Sequence, residues 1–207
     1  MDFQNGEFHK QLMKKLTLLL TSFMISLNSA NAFAQISEVR FGVSNFDEQI
    51  LNLGISAVNG RESSVGINAE VIFEEPEFLK WALTPQPYIN ATLNLEGETS
   101  FGGAGLMWRQ SFNDKFYGDF SFGLAIHDGT NRVDRDESLS FIDFLERADE
   151  EISFGSRILF RQQLTLGYRV TDDWSAEFFG EHLSNGQILG SVNEGVDILG
   201  VKASKRF

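Results

Sequence analysis

The sequence contains no cysteine, which excludes disulfide bonds and thiolate metal sites. Only 3 of its 207 residues are proline, whereas 20 are phenylalanine and 19 are glycine. That composition is typical of strands joined by tight turns. Basic residues are also scarce, because 17 lysines and arginines stand against 29 acids and give a formal net charge of −12. A nucleic-acid partner is not expected at this charge, since binding phosphates requires a basic surface.

Long hydrophobic runs are missing as well. Beyond the N-terminal region, no segment approaches the ~18 consecutive apolar residues of a membrane-spanning helix. The N-terminus itself has a basic region, the mostly apolar segment Leu16–Leu27 and a small-x-small cleavage site at Ala32–Ala34. We therefore interpret residues 1–34 as a secretory signal peptide and residues 35–207 as the mature domain.

Eight segments of the mature chain alternate between apolar and polar residues. In the clearest, 154–170, the even positions from Phe154 onward are mostly apolar, and the odd positions include Arg157, Arg161 and Arg169. A period of two predicts strands with one apolar and one polar face. The other segments lie at about 38–44, 64–73, 89–95, 104–109, 116–127, 174–184 and 199–204.

Alternation alone is also typical of a soluble sandwich, so other features must decide. The polar face carries both signs of charge, as expected for a small barrel filled by its own ion pairs. These charged residues are Glu70, Asp119, Glu177 and Glu181 against Arg109, Arg157, Arg161 and Arg169. The chain ends on Phe207 after its last alternating segment, which resembles the assembly signal of outer-membrane barrels. We predict an all-β fold, an eight-stranded antiparallel transmembrane β-barrel with a filled polar interior, multi-pass in the bacterial outer membrane. A periplasmic sandwich stays open as the alternative.

Two histidines of the mature chain are the first candidates for chemistry. His127 ends the segment 116–127 on its polar face, where we expect a structural residue at the barrel rim. His182 and Ser184 share the apolar face of the seventh segment, because residues two apart project the same way. Polar groups facing lipid are costly unless they pair or serve a purpose. The His-x-Ser spacing alone leaves open that both residues merely contact lipid headgroups.

The residues around His182 resemble a known family. Glu181–Gly186, followed by Asn193–Asp197 and a closing strand, is similar to the PagL-type lipid A 3-O-deacylases, as are Ile126–Gly129 and Phe154–Arg161 upstream. The resemblance implies an eight-stranded outer-membrane barrel that removes the ester-linked 3-hydroxyacyl chain at position 3 of lipid A. It implies lipopolysaccharide as the substrate and a Ser–His–acid mechanism without cofactor or metal. The oligomeric state stays open, a homodimer included.

The same resemblance implies roles for individual residues. Ser184 matches the nucleophile, His182 the base, and Asn185 a contributor to the oxyanion hole. Serine needs a neighbouring imidazole to take its proton, and hydrogen-bond donors must face the oxyanion that develops. The backbone N–H of Gly186 is a second candidate donor, although the family more often has alanine there.

The acid of the triad has two candidates, Asp197 and Glu194. The family often has glutamate at the position that Asp197 occupies, and the spacing from the histidine is about one residue longer here. Asp197 shares parity with the apolar row that contains Leu199 and Val201, so we expect it to project beside His182 on the adjacent strand. Glu194 has the opposite parity and is kept as the alternative acid.

Two other functions stay open from the sequence. One is a non-catalytic structural or adhesive barrel that keeps His182 and Ser184 as headgroup contacts. The other is a different lipid-directed hydrolase or an acyltransferase.

Overall fold

The computed structural model describes residues 35–46, 64–132, 140, 142, 151–190 and 192–207. The signal peptide that we interpret at residues 1–34 lies outside them. Eight strands are formed: β1 (Ile36–Phe46), β2 (Val65–Phe73), β3 (Gln86–Asn94), β4 (Phe101–Ser111), β5 (Phe116–His127), β6 (Ile158–Arg169), β7 (Trp174–Ser184) and β8 (Val196–Arg206). Each strand pairs with the next, and β8 pairs antiparallel with β1. The predicted all-β, eight-stranded closed barrel is confirmed.

The two ends of the barrel differ. At the terminal end, where β1 begins and β8 ends, the N–H of Phe207 donates to the carbonyl of Ser37 at 3.0 Å. Short turns at 112–115 and 170–173 lie at this end. The opposite end, called the far end below, carries Ser184 and the start of β6. A short 3₁₀ helix, Glu77–Ala82, connects β2 to β3, and no helix among the described residues is long and apolar enough to cross a membrane.

The outer wall of the barrel is apolar. The alternating rows leave residues such as Phe41, Leu166 and Phe178 more than half exposed. Near the terminal end, the rings of Phe116 and Tyr168 pack with their centroids 5.1 Å apart. Exposing this much apolar side-chain area is unfavourable in water but favourable in a bilayer.

The centre of the interior is occupied by Arg40, which is fully buried. Its guanidinium lies 2.6 Å from a carboxylate oxygen of Glu38 and 2.6 Å from one of Asp119. Glu70 and Glu177 lie 3.2 and 3.4 Å from it. These carboxylates come from β1, β2, β5 and β7, so one cation joins opposite walls of the barrel.

Three further cations complete the charged interior. Arg109 shares two of the carboxylates that surround the central guanidinium. Arg161 pairs with Glu181 at 2.7 Å and lies 3.4 Å from Glu70, which also lies 3.4 Å from Lys202. Burying each charge is tolerated because it is paired and hydrogen-bonded. The predicted filled polar interior is therefore confirmed.

Towards the far end the interior becomes apolar. Ten buried residues form this apolar plug: Phe46, Phe101, Ala125, Ile152, Phe154, Leu159, Phe179, Leu183, Val196 and Ile198. The plug lies directly behind the wall that carries Ser184, because its members Leu183 and Val196 face each other on β7 and β8.

Three details of the sequence interpretation are wrong. The strand expected from Phe154 begins only at Ile158, because Gly155 adopts a left-handed φ of 73° that ends the extended run. Phe154 turns into the apolar plug instead of facing outward. Arg157 and Arg169 do not join the central ion pairs, since they donate to backbone carbonyls at the far and terminal ends respectively.

We expect Arg40→Met to lower the free energy of unfolding by about 3–5 kcal/mol, because it leaves a cluster of buried carboxylates without its central cation. Urea unfolding of the refolded barrel, followed by gel migration and tryptophan fluorescence, measures this. Lys80→Met is the matched control, because Lys80 pairs with Glu77 at the surface and its side chain is 58% exposed. The control should change stability by about 0.5 kcal/mol or less. Equal loss in the two variants would contradict the central role of Arg40.

Candidate active site

The candidate site lies on the outer wall at the far end. His182 on β7 and Asp197 on β8 are directly paired in the register. The ring Nδ1 of His182 and Oδ1 of Asp197 are 2.6 Å apart. The imidazole side chain is 21% exposed and the carboxylate 9%. Such a short contact holds the ring in one orientation, with Nδ1 bonded to the acid and Nε2 left for another group.

The apolar plug positions this pair. Leu183 points into the plug from β7, and Val196 and Ile198 point into it from β8, each only 1% exposed. Because side chains alternate along a strand, anchoring these residues inward forces His182 and Asp197 outward. The site is therefore built on rigid strands rather than on a loop.

Ser184 is the last residue of β7 and projects outward on the same row as His182. It pairs with Phe160 on the adjacent strand β6, and the residue is 6% exposed. Within the described part of the chain, no hydrogen bond joins Ser184 Oγ to the imidazole. Catalytic hydrogen bonds are often long before substrate binds, so this geometry is compatible with a serine–histidine pair.

Gly195 shapes the space between the two side chains, a role that sequence reasoning missed. Its φ of 69° is left-handed, and a Cβ built there would lie 3.3 Å from His182 Cε1 and 3.4 Å from Ser184 Cβ. A side chain at this position would therefore press on the carbonyl oxygen of Leu183, at 3.1 Å, and on the imidazole, and would reach contact with the serine. A glycine two residues before the candidate acid is the signal in the sequence.

Beyond Ser184 the chain turns through Gly186 and Gln187, which have left-handed φ values of 62° and 58°. Gln187 N–H donates to the side-chain oxygen of Asn185 at 2.7 Å. No described residue accepts a hydrogen bond from the N–H of Gly186. That N–H is thus the free backbone donor nearest to the serine in this turn.

Asn185 has a different place from the one expected of an oxyanion donor. Its side-chain Nδ2 donates to the carbonyls of Phe154, at 2.7 Å, and Val192. Its backbone N–H donates to Oδ1 of Asn193 at 2.8 Å. All its N–H groups are therefore engaged, and fully buried Asn185 ties the turn after Ser184 to the loop before β6.

The contacts described for Glu194 and His127 are with residues other than His182 and Asp197. Glu194 accepts a hydrogen bond from the N–H of Ser153 at 2.6 Å, so it joins the two far-end loops. His127 Nε2 lies 2.7 Å from the carbonyl of Ser156, and its ring packs on Phe154 with centroids 4.5 Å apart. Its contacts are those of a structural rim residue. Among the described residues, no cluster of three His, Asp or Glu side chains could hold a metal ion.

A closed eight-stranded barrel with an apolar outer wall and a charged interior defines the class of outer-membrane-type β-barrels. A family profile described as lipid A 3-O-deacylase (PagL) matches residues 79–206. This match spans more than half of the chain, and the protein belongs to the PagL family of lipid A 3-O-deacylases.

Three solved structures align with this chain. The crystal structure of the outer membrane enzyme PagL aligns with a TM-score of 0.55 at 12% identity, covering 83% of this chain and 100% of that one. A de novo designed transmembrane β-barrel aligns with a TM-score of 0.49 at 7% identity over 86% and 100% of the two chains. The Yersinia pestis outer membrane protein Ail aligns with a TM-score of 0.41 at 12% identity over 83% and 99%. A comparison with curated protein sequences finds no match.

We expect Asp197→Asn to lower kcat for lipid A deacylation on the order of 10³-fold or more, because the imidazole loses the charge that orients it. Glu194→Gln is the matched control and should stay within a few-fold of the parent. The measurement is release of fatty acid from purified lipid A by refolded protein, with heat-modifiable gel migration as the folding check. The reverse ranking of the two variants would make Glu194 the acid.

Proposed function

We propose that this protein is an outer-membrane esterase that removes the acyl chain ester-linked at position 3 of lipid A. Ser184 is the nucleophile, His182 the base and Asp197 the acid. The observation that carries the proposal is the 2.6 Å contact between His182 and Asp197 on a lipid-facing wall, with Ser184 one step along the same row. Membership of the PagL family supplies the substrate class.

The first half of the reaction transfers the acyl group to the protein. His182 Nε2 takes the hydroxyl proton as Ser184 Oγ attacks the ester carbonyl carbon, and Asp197 stabilises the imidazolium that forms. The N–H of Gly186 donates to the oxyanion, an interaction commonly worth ~3 kcal/mol or more. The carbon–oxygen bond to the sugar then breaks, and the imidazolium returns its proton to the sugar oxygen.

The second half of the reaction regenerates the serine. His182 takes a proton from water, the resulting hydroxide attacks the acyl carbonyl carbon, and the bond to Ser184 Oγ breaks as that oxygen recovers a proton. The products are a free fatty acid and a lipid A with a free hydroxyl at position 3. Every proton in this cycle passes through one imidazole, so the proposal demands that His182 be ionisable and that Asp197 hold its ring in place.

The location of the site fits a substrate that never leaves the membrane. Ser184 and His182 face outward near the far end rather than into the filled interior. A lipid can therefore reach them sideways from the bilayer. With both termini at the periplasmic side, as in eight-stranded outer-membrane barrels, the far end lies at the outer leaflet, where lipid A resides.

We expect Ser184→Ala and His182→Ala each to abolish deacylation while the barrel still folds. Mass spectrometry of lipid A from cells that express each variant reports the loss of one acyl chain. Ser175→Ala, a serine change at the terminal end of the same strand, is the matched control and should retain activity. Substantial deacylation by folded Ser184→Ala would rule out serine catalysis.

The same experiment separates the other functions that the sequence left open. A parent that leaves both lipid A and phospholipids unchanged would favour a structural or adhesive barrel. Altered phospholipids with intact lipid A would favour another lipid-directed hydrolase or an acyltransferase.

A further inference from the structure

The outward rows of β5 to β8 contain few polar side chains. Near the terminal end these are Tyr168 and Lys205, which belong where a barrel meets water and headgroups. At the far end they are the three residues of the proposed triad and one more, Gln162 on β6. This glutamine lies in the same patch as the triad and has no part in the mechanism above.

The register places Gln162 beside the reacting groups. It pairs directly with His182, on the side of β7 opposite to Asp197, and it is diagonal to Ser184, which pairs with Phe160. Directly paired residues of adjacent strands have Cβ atoms about 5 Å apart, and diagonal neighbours about 7 Å. The glutamine side chain is long enough to reach a substrate group close to the scissile ester.

The amide of Gln162 is exposed on the apolar wall, and no described residue hydrogen-bonds to it. An amide that faces hydrocarbon without a hydrogen-bond partner is unfavourable. Its neighbours along β6, Phe160 and Leu164, are apolar, and so is Phe122 on the β5 side, which stacks on Phe160 with ring centroids 6.1 Å apart. On the β7 side it pairs with His182, whose hydrogen bond goes to Asp197 and not to this amide. The lipid is therefore the partner left for this amide.

We propose that Gln162 is a specificity-determining residue that hydrogen-bonds to the 3-hydroxyl of the acyl chain being removed. This inference rests on the proposed function. Phe160 pairs with Ser184, and Gln162 lies two residues, or about 7 Å, further from the far end along β6. At that depth Gln162 meets the acyl chain below the ester and not the sugar. The 3-hydroxyl is two carbons from the ester carbonyl along the acyl chain, so it lies on the same side of the ester as Gln162. An amide can both donate to and accept from a hydroxyl.

The test compares two synthetic glucosamine lipids that differ only in the chain esterified at position 3, either 3-hydroxytetradecanoyl or tetradecanoyl. The parent protein should prefer the hydroxylated lipid by about 10-fold in kcat/KM, the effect of one hydrogen bond. Gln162→Leu should lower kcat/KM for the hydroxylated lipid by about 10-fold and change that for the other lipid by about 3-fold or less. The plain lipid thus reports, within the same variant, whether the catalytic groups are intact.

Gln110→Leu is the matched control, because Gln110 is an exposed glutamine on the outer wall of β4 near the terminal end. It should keep the full preference for the hydroxylated lipid. A parent without preference, or a Gln162→Leu variant in which both lipids slow equally or neither slows, would overturn the assignment and leave the esterase intact. A folded parent that cleaves neither lipid would instead overturn the proposed function.

Discussion

The buried guanidinium of Arg40 is the interaction on which the rest of the barrel depends. It contacts carboxylates from four strands, and these carboxylates in turn hold further cations on β4, β6 and β8. Charges buried in a narrow barrel are tolerated only when every one has a partner at close range. The strands therefore keep the register that lets Arg40, Glu70 and Asp119 meet, since a shift by one residue would turn them towards the lipid.

That register decides the chemistry on the outside of the wall. Once Leu183 and Val196 face each other in the apolar plug, His182 and Asp197 must face each other outside it. The ion pairs and apolar residues of the interior thus stabilise the barrel, and the far end of the outer wall carries the groups suited to catalysis. The proposed deacylase needs no cavity within the barrel, because the bilayer would bring its lipid substrate to this surface.

The lipid-facing polar groups of β6, β7 and β8 share one explanation. Serine, imidazole, carboxylate and amide are unfavourable in hydrocarbon unless they pair with each other or with a polar lipid group. His182 and Asp197 pair with each other, and Gln162 has no such partner among the described residues. Their clustering on three adjacent strands fits the proposed substrate, because lipid A carries several polar groups near its acyl chains.

Much of the fold and part of the candidate site could be predicted from local pattern. Period-two alternation predicted the strands, and parity predicted that Asp197 projects from the same outer face as His182, because side-chain direction is a property of the strand itself. The same reasoning was wrong for Phe154. Its parity fits the outward row of β6, but the left-handed φ of Gly155 ends that row before it reaches Phe154. The resemblance suggested Asn185 as an oxyanion donor. Only the folded loops show that its N–H groups already donate hydrogen bonds to Phe154, Val192 and Asn193.

The sequence by itself determined the all-β class and the apolar and polar faces of the strands, because both depend on residues close along the chain. Its resemblance to a family singled out Ser184 and His182, whose catalytic roles are the proposal made above. Only the tertiary structure decided which charges meet in the interior, which acid contacts the imidazole, and that Gly195 leaves room between the imidazole and the serine. The interior charges meet because barrel closure brings distant strands together, whereas Asp197 and Gly195 meet the imidazole through the register between β7 and β8. Closure joins β8 to β1. No local pattern in the sequence specifies which side chains this closure brings within a few ångströms of each other.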